Sequence, residues 1–321
     1  WFGDPNAQPG TLYFSDNRFL VSPLKHNGVW CAPGLSSATF ESLEIESKQL
    51  LLPTVGLELT VEGDMTIYNG GSLELTNATV SVGGDLTLDN GKLLMASLAE
   101  GAGVPLSTLC VNGDLTVSGA KATEVSYLTI CGGYTNGLAA DYGALVEVGG
   151  AGVVGPYGWI VVQSHRTNGS SPLFRLTSLT VNGGDTGGFD AYGRGFRGGY
   201  NAADGFGPGF GTGDATRGTG GGYGGRGGRS ATITTRGDTY GDMFLPRHPG
   251  SSGGGARTGE GGLGGHGGGL IRIEALDLHL AGTLNANSKL NRGFSGGGAG
   301  GGISLVCRNF SSAQGAQLLA A

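Results

Sequence analysis

Long apolar runs are missing from this sequence. No stretch of 18 or more apolar residues occurs, so no membrane-spanning helix can be read in it. Charge is scarce as well: 14% of the 321 residues are Asp, Glu, Lys or Arg, and the net charge is −6. A nucleic-acid binder needs a basic footprint, which this balance denies. Arg226 and Arg229 do sit in a Gly/Arg/Tyr run of the RGG type, but acidic residues outnumber basic ones overall. Only four cysteines occur, Cys31, Cys110, Cys131 and Cys307, with no CxxC and no His/Cys metal spacing, which removes zinc. Their even number fits one or two disulfides formed in an oxidising compartment, and equally four buried thiols. No GxxxxGK[ST] loop is present. Gly193-Arg-Gly195-Phe-Arg-Gly198 satisfies GxGxxG, yet no helix pattern follows it, as a dinucleotide site requires.

Glycine fills the space that charge and long apolar runs leave. There are 69 glycines, about three times the average share of roughly 7%. Such a composition warns of disorder, but 38% of the chain is hydrophobic and rich in Val, Leu and Ile, enough for a core.

One phrase repeats. "VEGDMTI" (61–67), "VGGDLTL" (82–88) and "VNGDLTV" (111–117) share the order apolar, x, Gly, Asp, apolar, Thr, apolar. "ALVEVGGAGVV" (144–154) and "LTVNGGD" (179–185) read as looser echoes. Separations of 21 to about 30 residues mark a solenoid or array. Apolar residues alternate on either side of each Gly-Asp, as in Leu59, Val61, Met65 and Ile67, which is the strand period. The Gly-Asp itself reads as a corner, with Gly free to take positive φ and Asp bonding its own backbone. Between 51 and 182 no helical period is sustained. Hairpin architectures would not need one recurring phrase, whereas a parallel β-helix returns to the same corner in each coil. The expected fold class is therefore all-β, a right-handed parallel β-helix.

Four regions follow from this reading. Residues 1–40, aromatic and irregular, form an N-terminal cap or contact segment; 41–182 carry the solenoid repeats. Residues 183–269 are the glycine-rich section, and 270–321 bring returning strands and an apolar tail. Within the glycine section, side chains recur every third residue: Tyr223 and Arg226, then Glu260, Leu263 and His266. A period of three belongs to an extended helix of the polyproline II type, whose glycine edges allow close packing. The expectation is a polyglycine-II-like section packed on the solenoid, with Tyr223 and Arg226 sharing one edge.

Candidate chemistry is sparse. Asp185, Asp190, Asp204 and Asp214 could ligate Ca2+ through carboxylates, but they miss the glycine-rich calcium nonapeptide and read more simply as solvated corner residues; no other cofactor is expected. Asp238, Asp242, Arg247 and His248 are the candidates for a glycan lyase or hydrolase. Tyr134, Tyr142, Tyr157 and Trp159 offer a sugar platform. Three sequons, at Asn77, Asn168 and Asn309, permit glycosylation.

The order of blocks "GGGYGGRGG" (220–228), "YGDMFLPRHPGSSGGG" (240–255), "GGGLIRIEALDLHLAGTLNAN" (267–287) and "GGGAGGGISLVC" (296–307), behind the GDLTV-like repeats, resembles secreted glycine-rich β-helix surface or adhesin-like proteins. These are mostly bacterial with relatives in plants. The resemblance spans roughly 57–310 and implies an extracellular or cell-surface location more than an activity. Trp1 in place of Met is expected of a mature protein whose secretion signal has been removed. Relatives run on into further repeats where this sequence stops at Ala321. The expected function is structural: head-to-tail self-assembly into a surface fibre, with Trp1, Phe2, Leu318 and Leu319 at the contacts and the protein itself as partner. A monomeric adhesin that binds glycans and a glycan-active enzyme are the alternatives.

Overall fold

The computed structural model describes residues 28–97, 104–135, 142–231, 233–257, 262–289 and 293–321, and the backbone of 11–13. The first strands are β1 (Thr11–Tyr13), β2 (Gly28–Cys31), β3 (Ser37–Phe40), β4 (Leu43–Glu46) and β5 (Lys48–Leu52). Then come β6 (Glu58–Val61), β7 (Met65–Tyr68), β8 (Ser72–Thr76), β9 (Thr79–Val82), β10 (Leu86–Asp89) and β11 (Lys92–Ala96). They are followed by β12 (Ser107–Val111), β13 (Leu115–Ser118), β14 (Ser126–Cys131), β15 (Ala144–Val154), β16 (Gly158–Gln163) and β17 (Pro172–Val181). The last are β18 (Gly188–Asp190), β19 (Leu270–Leu280), β20 (Thr283–Asn285), β21 (Gly302–Ser312) and β22 (Gln317–Leu319).

Among the described residues there is no helix, and the paired strands run parallel within two stacked sheets. One sheet runs β1-β2-β5-β8-β11-β14-β16-β18-β20-β22; the other holds the remaining twelve strands. From β3 onward the chain alternates between them in a fixed order, each strand lying against its equivalent from the round before. This arrangement is consistent with a β-helix or solenoid. The second sheet is visited twice per round, as in β6 and β7, until β15. From there each visit is one continuous strand of 10 or 11 residues.

Alternation in sequence becomes columns in space. Trp30, Leu50, Leu73, Leu93, Leu128, Ile160, Phe189 and Leu284 follow one another in register through the first sheet, all buried. In the second sheet, Leu59, Val80, Leu109, Val146, Phe174 and Ile273 do the same. Each buried aliphatic side chain contributes about 1.5–3 kcal/mol, so the columns are the main source of stability.

The corner phrase works differently from the expectation. The aspartate does not bond its own turn; it reaches the next round. Oδ1 of Asp64 accepts from the backbone N–H of Asp85, Asp85 from that of Asp114, and Asp114 from that of Ala151, at 2.7–2.8 Å. The glycine before each donating residue is needed because a Cβ on Gly84, Gly113 or Gly150 would fall 2.0–2.2 Å from that same carboxylate oxygen. "LTVNGGD" (179–185) is not a fourth copy. Its Val181 lies in register with Val154, one corner further on, where the chain leaves for β18.

Two boundaries move. The strands β2 and β3, inside residues 1–40, already pair with β5 and β6, so the stack begins before residue 41. The strand β18 pairs with β16 and β20, so the glycine section proper is 191–269.

That section has no named strand among its described residues, but its hydrogen bonds are ordered in threes. The N–H groups of Gly250 and Gly253 donate to Gly268 and Gly265; those of Ser252 and Gly255 donate to Phe206 and Ala203; that of Gly254 donates to Thr219. The segment 218–222 repeats the pattern: Gly218 and Gly221 donate to Phe294 and Gly297, Thr219 and Gly222 to Thr212 and Gly209, and Gly220 to Gly228. Each segment thus bonds to three different neighbours in rotation, which strands with two edges cannot do. Approach is close enough that a Cβ on Gly264 would sit 2.0 Å from the Gly253 carbonyl oxygen. The segments 264–269 and 296–301 lead straight into β19 and β21, which ties this lattice to the stack.

Candidate functional site

The most unusual surface is the edge formed by β21 and β22. Among the described residues β21 pairs only with β19, and β22 only with β20. A strand edge without a partner presents unbonded N–H and C=O groups. Here the core columns also arrive at that edge uncovered. Leu318 continues the column of Leu284, and Phe310 that of Leu278; they are 54% and 51% exposed, whereas their predecessors are buried. Ile303 and Leu305, in register with the buried Ile271 and Ile273, are half-buried. At the other end of the stack Leu43 and Ile45, in the first column positions of β4, are fully buried.

Two hollows lie on the outer faces. On the second sheet a groove of about 710 Å³ runs past Glu147, Arg175 and Glu274, which are in register on adjacent strands. Arg175 Nε donates to Glu274 Oε2 at 2.8 Å and its Nη1 lies 3.7 Å from Glu147 Oε1, so the three charges satisfy one another. On the first sheet a hollow of about 410 Å³ is bordered by Tyr127, Trp159, Asp190, Arg194 and Asn285.

The candidates read from sequence are placed as follows. Trp1 and Phe2 lie outside the described residues. Leu318 and Leu319 are on the open edge, in β22. The four cysteines are free thiols, which removes the disulfide reading. Cys31 and Cys131 belong to one sheet and Cys110 and Cys307 to the other. Burial pushes the Cys131 thiol up to about 11. Asn77 is buried at a corner with φ of 45°, and its amide donates to the Pro105 carbonyl at 3.1 Å. A glycan there is incompatible with this packing. Asn168 is partly buried with its amide on Thr135 O, while Asn309 is exposed, its amide on Asp277.

The aspartates singled out for Ca2+ serve local turns. Asp190 accepts from the N–H of Tyr192, Asp204 from that of Gly213, and Asp214 from those of Thr216 and Arg217, which hold its carboxyl below the usual range. Asp185 sits at the corner before β18. Among the described residues no group of three or more His, Cys, Asp or Glu is placed to hold a metal.

The residues considered for glycan chemistry do not converge. Asp238 lies 3.8 Å from Arg226, and Asp242 accepts from the N–H groups of Phe244 and Leu245. His248 packs edge-on against Tyr240 at 6.0 Å; burial, with Arg247 adding to it, lowers its proton affinity. Of the four aromatics proposed as a platform, Trp159 borders the hollow on the first sheet. Tyr134 meets His165, Tyr142 lies 6.0 Å from Arg175, and Tyr157 is in the turn before β16. Trp159's true neighbour is Tyr127, from the previous round, which no sequence spacing announces.

Tyr223 and Arg226 also part company. The Gly220 N–H donates to Gly228 O and that of Tyr223 to Gly225 O, so the chain reverses between them. Tyr223 turns inward onto Tyr240, with ring centroids 5.0 Å apart, and Arg226 points to solvent.

Comparison of the chain with protein-family models, with curated proteins and with solved structures returns no match.

Proposed function

We propose that this chain is an extracellular structural protein, a right-handed parallel β-helix with a polyglycine-II section, that self-associates through its β21/β22 edge. One observation carries the reading: the core columns run to that edge and stop half exposed, at Ile303, Leu305, Phe310 and Leu318. An uncovered core beside a row of unbonded backbone groups is satisfied by another strand carrying a matching apolar row. A second copy offers that row in its own β21. Pairing of two like edges and the head-to-tail fibre expected from the sequence are the two forms such a contact takes. The three-residue bonding rotation supports the polyglycine-II reading, and the extracellular placement rests on the family resemblance.

Light scattering of the 321-residue chain tests this. A dimer that dissociates on Phe310→Lys plus Leu318→Lys, with unchanged circular dichroism, supports the like-edge pair. Filaments in electron micrographs that vanish with the same change support the fibre. A monomer across concentrations sinks self-association.

A further inference from the structure

The hollow on the first sheet is independent of that edge and has the chemistry of a ligand site. Two rows of outward side chains build it. Tyr127 and Trp159 are direct register partners, and the next position in their row is Gly188, which leaves room beside the indole. The adjacent row runs Thr129, Val161, Asp190, Asn285. Tyr127 and Trp159 are open enough to be touched. Arg194 Nε is buried with no hydrogen-bond partner, and Oδ2 of Asp190 stands 3.7 Å away, too far to accept from it. A carboxylate, a guanidinium and an amide therefore flank an aromatic shelf in a space of about 410 Å³.

We propose that this hollow binds a neutral pyranose residue of a glycan. A sugar ring presents an apolar C–H face that lies on aromatic rings, and an equatorial edge of hydroxyls that both donate and accept. Asp190 accepts from such hydroxyls, while the Asn285 amide on the same row donates to one. The volume suits one or two sugar residues within the usual range of small-ligand sites. Asp190 repels a uronate or sulfate, so the neutral sugar is the one selected. Nucleobases also stack on aromatics, but a chain of net charge −6 gives their phosphates nothing to hold.

Calorimetric titration of the intact chain with neutral hexose oligomers, and with oligouronides of equal length, tests the assignment. The expected result is saturable binding of a neutral oligomer with a dissociation constant of about 1 mM or tighter. It weakens at least about tenfold in Trp159→Ala and in Tyr127→Ala, with melting temperatures unchanged. Asp190→Asn narrows the preference between neutral and acidic oligomers. Absence of binding by both classes, equal binding of oligouronides, or unaltered affinity in both aromatic variants overturns it.

Discussion

Gly84 and Asp64 belong to different rounds of the stack, yet their substitutions should not add. An alanine at Gly84 places its Cβ 2.0 Å from Oδ1 of Asp64 and 3.0 Å from the Gly63 carbonyl carbon. The carboxylate must swing away, which breaks its 2.8 Å bond from the Asp85 N–H. That bond is at an exposed corner, where its loss costs about 1 kcal/mol. The remaining pressure on the Gly63 backbone adds about 1–3 kcal/mol, as overpacking does. Asp64→Ala alone loses the same bond, again about 1 kcal/mol. In the double variant the bond is lost once and the 2.0 Å clash is gone. It should therefore be more stable than the sum of the single effects by about 1 kcal/mol or more. Equilibrium urea unfolding gives the cycle. Hydrogen exchange over residues 61–90 localises the effect, because stacked coils need not open as one unit. Gly228→Ala, whose Cβ would meet nothing within 4 Å, serves as the neutral control. Additive single effects, within about 0.3 kcal/mol, would refute the proposed coupling between the rounds.

His266 is pushed down to about 4 by burial and by Arg166 and Lys289, and its Nδ1 accepts from the Gly198 N–H at 2.8 Å. Its folded value lies below the unfolded one, so its contribution is full above about 6.5 and fades as pH falls toward 4. His266→Gln should flatten the melting temperature across that window. Alkylation of the native chain should modify Cys131 last, and denaturation without reductant should bring all four thiols into reaction; a count below four after denaturation overturns the free-cysteine assignment. Asn77→Ala should destabilise by about 2 kcal/mol through a lost buried bond and a strained left-handed backbone. Asn77→Gly should cost less in the same unfolding assay, since only the bond is lost.

The stack was legible because its causes are local. Alternation at Leu59, Val61, Met65 and Ile67 reports one buried face, and the Gly-Asp phrase reports one corner. What the phrase does at that corner was not legible: the oxygen of Asp64 acts on a residue one round away, and sequence spacing does not say which groups meet. The same limit hid the Tyr127–Trp159 pair. The cysteines left two readings open for the converse reason: an even count says nothing about separation, and these four are divided between the two sheets. In the glycine section the period of three was visible, but the reversal after Gly220 was not, because a glycine chain carries no side chain to mark a turn.

The rotation of bonds in that section acts like a reading frame. Between Gly250 and Gly255 the N–H groups of Gly250 and Gly253 serve one neighbour, those of Ser252 and Gly255 a second, and that of Gly254 a third, so a neighbour recurs after three residues. Deleting a single residue there hands every later donor to the wrong neighbour, although no side chain has changed. Deleting three restores the order and merely shortens the segment by one turn. Such a lattice should therefore drift in length by triplets of residues, tolerant of substitution at its rim and intolerant of slippage within.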